Sequence, residues 1–277
     1  MSGFFGSTLK TDCVSHVFYG TDYHSHLGTK RAGLAFYNAE RGFQRAIHSL
    51  EDGYFRTKFE NDLKNFSGNA GIGIISDMEA QPIVANSHLG KFAVATVSKI
   101  ANAEELETEF LKKHRTFSET SQGSVNPTEL IAMLIADGDD FISGIENVYQ
   151  KVKGSCSILI LTENEIIAAR DKLGRTTIII GKNCEGYAIA SESCSFANVD
   201  YEIDKFLGPG EIVRVTADGY EQLRKPNAKM QICSFLWVYY GYPPSYYEGI
   251  NVDETRYRCG AALAKNDSVD ADFVAGI

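Results

Sequence analysis

The chain has 277 residues, 44% of them hydrophobic and 23% charged, with a formal net charge of −9. That length and balance suit a soluble globular protein with a sizeable core. The acidic surplus speaks against a nucleic-acid or anionic-membrane partner, which would need clustered Lys and Arg. No basic-then-apolar leader opens the chain, and its apolar runs near 157–161 and 232–242 are too short to span a bilayer. The six cysteines, Cys13, Cys156, Cys184, Cys194, Cys233 and Cys259, form no C-x-x-C pair. Reduced thiols in a cytoplasmic protein are therefore expected.

Residues 1–6 read Met-Ser-Gly-Phe-Phe-Gly. If Met1 is removed, Ser2 carries a hydroxyl and a free α-amine, so nucleophile and base could be one residue. If it is kept, Ser2 is an ordinary residue at the start of a buried strand. The small, β-branched and aromatic residues of 4–19 predict a short opening core strand, and the Tyr- and His-rich 16–27 a helix ending in the turn 28–31. Strands are expected at 33–37, 71–76 and 92–97, with a charged segment at 51–64 between the first two.

Three helices follow. Asn102 precedes Glu105 at capping-box spacing, with Leu106, Phe110 and Leu111 as the apolar stripe. Asn126-Pro127-Thr128-Glu129 supplies a cap, a first-position Pro and a third-position Glu ahead of Leu130, Met133 and Leu134. Phe141, Ile145, Val148, Tyr149 and Val152 repeat at helical spacing to Gly154. Short β-rich runs then fall at 157–161, 166–170, 177–180, 187–191 and 211–215, and their short links suit antiparallel pairing. Strands at both ends and helices between predict an α+β layered domain of about 220 residues. Residues 224–227 read as a boundary, 233–247 are densely aromatic, 253–264 could be a helix, and 269–277 read as the first strand of a further domain.

Asp22, His24 and His26 could hold a metal, but two imidazoles and one carboxylate are a thin ligand set, and a structural role is expected. Gly68, Gly71 and Gly73 have the wrong spacing for a phosphate loop, which leaves close strand packing. No G-x-S-x-G elbow or papain-like cysteine signature is present. The aromatic run 235–240 could stack bases, but in so acidic a chain it reads as a core or interface strand.

Taken in order, 26–28, 32–33, 71–73, 79–82, 152–157, 169–171, 174–175, 190–193, 208–211 and 237–240 make a pattern. Its pieces include Glu79-Ala80-Gln81-Pro82, Ala169-Arg170-Asp171, Ala190-Ser191-Glu192-Ser193 and Gly208-Pro209-Gly210-Glu211. In order and spacing the chain resembles the N-terminal glutaminase portion of amidophosphoribosyltransferases, the glutamine-dependent enzymes that open purine biosynthesis. The resemblance implies a four-layer αββα N-terminal-nucleophile hydrolase sandwich of two antiparallel sheets over 1–225. It also implies that 226–277 are a linker and the start of a truncated phosphoribosyltransferase domain.

The chemistry does not carry over with the scaffold. The family's nucleophilic Cys falls on Ser2, a weaker nucleophile at neutral pH. Its glutamine-clamping Arg falls on Ser76, its Asn-Gly oxyanion pair on Val97-Ser98, and its amine-binding Asp on Pro127. The family's His-Arg-Gly is His26-Leu27-Gly28 here. All the glutamine-handling roles are thus altered together, and loss of glutaminase activity is expected.

Some relatives carry a [4Fe–4S] cluster, and Cys233 falls where one ligand would lie; the full-length family also uses Mg. No cofactor is expected in this chain by itself, since one Cys cannot hold a cluster. The partners implied are its own phosphoribosyltransferase domain, if full length, and further copies of itself, with no nucleic acid and no membrane. Two other readings stand beside this one: a non-catalytic binding module on the old scaffold, and an N-terminal-Ser amidohydrolase acting on another amide.

Overall fold

A computed structural model describes residues 2–121 and 123–276. Successive side chains of a strand point to opposite faces, and here both faces of the opening strand are apolar. All seven residues of β1 (Gly3–Leu9) are buried. Phe4 enters a core between two sheets, and Phe5 enters a second core under a helix.

The chain continues through α1 (Val14–Asp22), β2 (Arg31–Asn38), β3 (Gly42–Ser49), α2 (Phe55–Phe59), β4 (Ala70–Ser76), β5 (Ile83–Ser87) and β6 (Gly90–Ile100). Next come α3 (Ala103–Lys112), the two-residue strands β7 (Thr120–Ser121) and β8 (Ser124–Val125), α4 (Pro127–Ala136) and α5 (Phe141–Lys151). The β-rich stretch holds β9 (Gly154–Leu161), β10 (Ile166–Ala169), β11 (Ile179–Lys182), β12 (Gly186–Ala190), α6 (Cys194–Ala197), β13 (Glu202–Phe206), β14 (Ile212–Thr216) and β15 (Gly219–Arg224). A π-helical turn (Leu236–Tyr240), β16 (Tyr246–Tyr247), β17 (Ile250–Asn251) and α7 (Val252–Asn266) follow.

One sheet has the order β13-β11-β12-β1-β4-β2-β3, the other β15-β14-β10-β9-β6-β5. Their neighbours pair antiparallel throughout. Phe4, Ile72, Ile74, Ala95, Leu159 and Ile189 fill the space between the sheets. Phe5, Leu34, Phe36 and Ile75 meet Val17 and Phe18 of α1 on one outer face. On the other, Val94, Ile158 and Ile160 meet Leu106, Leu130, Leu134 and Ile145 of α3, α4 and α5. These layers are the αββα sandwich that the sequence resemblance implied.

The first helix is shorter than expected and lies earlier. It stops at Asp22, and the His24 ring turns back so that Nδ1 meets the Gly20 carbonyl at 2.8 Å. Asn102 does not cap α3 with its side chain. Its amide donates to the Lys151 carbonyl at 3.0 Å and accepts from the Lys153 amide at 2.8 Å, joining α3 to the end of α5. Leu111, expected in the buried stripe, is exposed. The aromatic run is a π-helical turn rather than a strand, with the Trp237 indole donating to the Ile250 carbonyl at 3.1 Å. Residues 268–276 form no strand: they are exposed and have no strand beside them to pair with, and Ile277 lies outside the described residues. Among the described residues, no helix is long and apolar enough to cross a membrane.

After Arg224 the chain packs back on the sandwich. Glu192 accepts hydrogen bonds from the Tyr242 amide and, at 2.6 Å, from the Ser245 hydroxyl. Ser193 Oγ accepts from the Tyr246 amide at 2.7 Å, and buried Arg170 pairs with Glu248 at 2.7 Å.

Candidate active site

The residues marked by the resemblance lie at the ends of central strands. Gly3 stands opposite Ile75 in the β1–β4 register, so Ser2, one step further along, is level with Ser76 at the end of β4. Val97 and Ser98 lie on β6 of the facing sheet, and Pro127 opens α4. Val97 points into the core between the sheets. Met1 lies outside the described residues, so the two alternatives for Ser2 stand as the sequence left them.

A buried polar network lies beside these positions and includes Ser98. The Ser76 hydroxyl accepts from the Met78 amide at 3.2 Å. The Gln81 side-chain amide donates to Glu79 Oε1 at 3.3 Å and to the Thr96 carbonyl at 3.1 Å. Gln81 Oε1 accepts from the Thr96 amide at 2.8 Å and from the Thr128 hydroxyl at 3.1 Å. The Thr96 hydroxyl lies 2.8 Å from that of Thr128 and 3.3 Å from that of Ser98. Asn126 caps α4 by accepting from the Thr128 amide at 2.9 Å, and it donates to the Ala80 carbonyl at 2.7 Å. Burial pushes the Glu79 carboxyl above its ordinary value despite these hydrogen bonds. Among the described residues, no Lys or Arg donates into this network.

The turn after α1 closes one side. A Cβ on Gly28 would come within 3.0 Å of the Ser76 backbone, so the turn lies directly on the end of β4. The Thr29 amide donates to Asp77 Oδ1 at 2.8 Å. The two histidines of this turn take separate partners. His24 is fully buried, and burial lowers it to about 4. His26 Nε2 instead meets Glu192 Oε2 at 2.6 Å, and Asp22 pairs with Arg56. Among the described residues, no group of three or more His, Cys, Asp or Glu could hold a metal ion. Cys233 packs with Ile232 against Leu236 and Trp237, so the described residues alone do not assemble a cluster site there. A Cβ on Gly71 would fall 2.3 Å from the Phe36 ring of the neighbouring β2, as strand packing expects, whereas one on Gly73 would fall 2.0 Å from Thr21 Oγ1 of α1.

A family model described as a glutamine amidotransferase domain matches residues 70–198. The amidophosphoribosyltransferase of Methanocaldococcus jannaschii is 29% identical over 305 residues, covering 100% of this chain and 64% of its own. That of Homo sapiens is 31% identical over 250 residues, covering 79% of this chain and 48% of its own. A solved structure of the allosteric regulatory enzyme of purine biosynthesis superposes with a TM-score of 0.87 at 25% identity, covering 98% of this chain and 59% of its own. The chain is similar to amidophosphoribosyltransferases over nearly its whole length. It also matches the glutamine phosphoribosylpyrophosphate amidotransferase of B. subtilis, solved with ADP and GMP, with a TM-score of 0.86 at 26% identity, over 98% of this chain and 60% of that one. The chain spans about three fifths of the length of the first of these relatives.

The layers described above therefore match the fold of these glutamine amidotransferases. Reading the sequence singled out the strand ends but missed the Thr29–Asp77 contact and the His26–Glu192 pair. The latter joins residues 166 apart, and no local spacing signals it.

Proposed function

We propose that this homologue keeps the glutaminase scaffold but no longer hydrolyses glutamine. We further propose that in the intact protein the transferase portion of its relatives follows this chain and draws on ammonia from another source. The observation that carries the reading is the chemistry at the strand ends. Ser76 is small, buried and uncharged, whereas holding a substrate carboxylate calls for a guanidinium. Val97 turns an apolar side chain into the core where an amide donor would be needed. Losing one oxyanion donor typically costs about a hundredfold or more in rate. Pro127 has neither the charge nor the N–H to receive an amine, and Ser2 offers a hydroxyl in place of a thiol.

The test is glutamate release by the purified chain at saturating glutamine, with no turnover above background expected. Clear turnover would overturn the reading. The transferase proposal is checked with the intact protein and phosphoribosyl diphosphate: ammonium salts support amination and glutamine does not. Intact-chain mass spectrometry bears on the amidohydrolase alternative, because a retained Met1 blocks the α-amine of Ser2.

A further inference from the structure

Outside the strand-end network, across the turn 23–29, lies a cleft of about 820 Å³. Tyr23, Tyr54, Phe55 and Tyr242 line it together with Leu50 and His26. That volume is typical of small-molecule sites, which combine apolar walls with a few placed polar groups. The formal charges in its wall are Asp22 and Arg56, which pair with each other at 2.7 Å. Neither is left over to hold an ionic guest.

The polar group without a partner is on His26. Glu192 accepts three hydrogen bonds, from His26 Nε2, the Tyr242 amide and the Ser245 hydroxyl. A carboxylate can only accept, so Nε2 carries the hydrogen, and in the tautomer with its one hydrogen there Nδ1 is a lone-pair acceptor. Nδ1 is buried and has no hydrogen-bond partner among the described residues. The Tyr242 ring stands edge-on to this imidazole with centroids 4.2 Å apart, and it is 45% exposed. A guest that displaces this tyrosine and stacks on it comes within reach of the imidazole edge.

We propose that this cleft binds an uncharged, planar aromatic molecule bearing an N–H or O–H donor, with the donor on His26 Nδ1 and the ring against Tyr242. Aromatic walls favour a flat ring, the cancelled charges disfavour ions, and the lone pair selects a donor over a methylated analogue. Ser76 and Ser98 are not among the residues that line the cleft, so binding there is read separately from glutamine turnover.

The experiment is calorimetric titration of the whole chain with indole, 1-methylindole and benzoate. Indole binds at least tenfold more tightly than 1-methylindole, and benzoate gives no heat. Leu50→Trp, which fills the cleft, abolishes indole binding, and His26→Phe, which keeps a ring but no acceptor, lowers it to the level of 1-methylindole. Circular dichroism and thermal melts establish that each variant is folded. Failure of indole to saturate at millimolar concentration, equal affinity for 1-methylindole, or binding that survives Leu50→Trp would each overturn the proposal. If His26→Phe fails to fold, the indole pair on the unaltered chain still decides the donor and Leu50→Trp the location.

Discussion

Two side chains near the N-terminus carry opposite lessons about substitution. Ser2 invites a simple repair, Ser2→Cys. Because Ser76, Val97 and Pro127 would still lack the charge and donors the reaction calls for, that variant is expected to stay at background in a glutamate-release assay. Measurable turnover from the single change would show that the remaining pocket was competent all along. His24 matters for stability instead. Burial holds it neutral, with Nδ1 on the Gly20 carbonyl and Nε2 buried without a partner. Its folded value of about 4 lies below the ordinary 6.5, so between these values the unfolded chain takes up a proton that the folded chain refuses. Its contribution is thus intact above pH 6.5 and falls away as the pH drops towards 4, by about 3 kcal/mol over the window. Urea unfolding at pH 6.5 and 4.5 checks this: His24→Gln is expected to lose less stability over that interval than the unaltered chain.

At the level of elements, the two asparagines that precede helices behave differently. Asn126 caps α4 as its sequence context foretold, and it is buried between that helix and Ala80. Asn126→Ala should cost about 1–3 kcal/mol, from a lost cap plus buried groups left unpaired, read as a lower denaturant midpoint. Asn102 sits at the same kind of signal but spends its side chain on Lys151 and Lys153, so the spacing alone misled. The strands show a similar divide. The apolar runs of β4, β6, β9 and β10 are legible because they are buried on both faces. Within the two large sheets, the strands that escaped, β3, β5, β13 and β15, are the four edges. Edge strands are half solvated and carry charge that discourages further pairing, as Arg45, Asp204, Lys205 and Glu221 do here, so their composition resembles that of loops.

For the molecule as a whole, order along the chain made the fold recognisable, whereas the site became legible only by folding, because its partners are distant in sequence. Ser98 and Thr128 meet through Thr96, Gln81 ties Thr128 to Glu79, and Glu192 reaches both His26 and Ser245. The last contact predicts that residues 228–266 stabilise the sandwich rather than hang from it. A chain ending at Asn227 leaves Glu192, Ser193 and Arg170 without their partners from 242–248. It should melt at least about 5 °C lower by calorimetry, since about 2 kcal/mol shifts a domain of this size by that much. The place of β1 has a consequence for synthesis. It lies between β4 and β12, paired on one side with residues 70–75 and on the other with 186–190. Residues 5–9 therefore wait for residues 186–190, far later in the chain, before their second hydrogen-bonded flank exists. Contacts of such long separation slow folding. Until then Phe4 and Phe5 stay within reach of chaperones and neighbouring nascent chains.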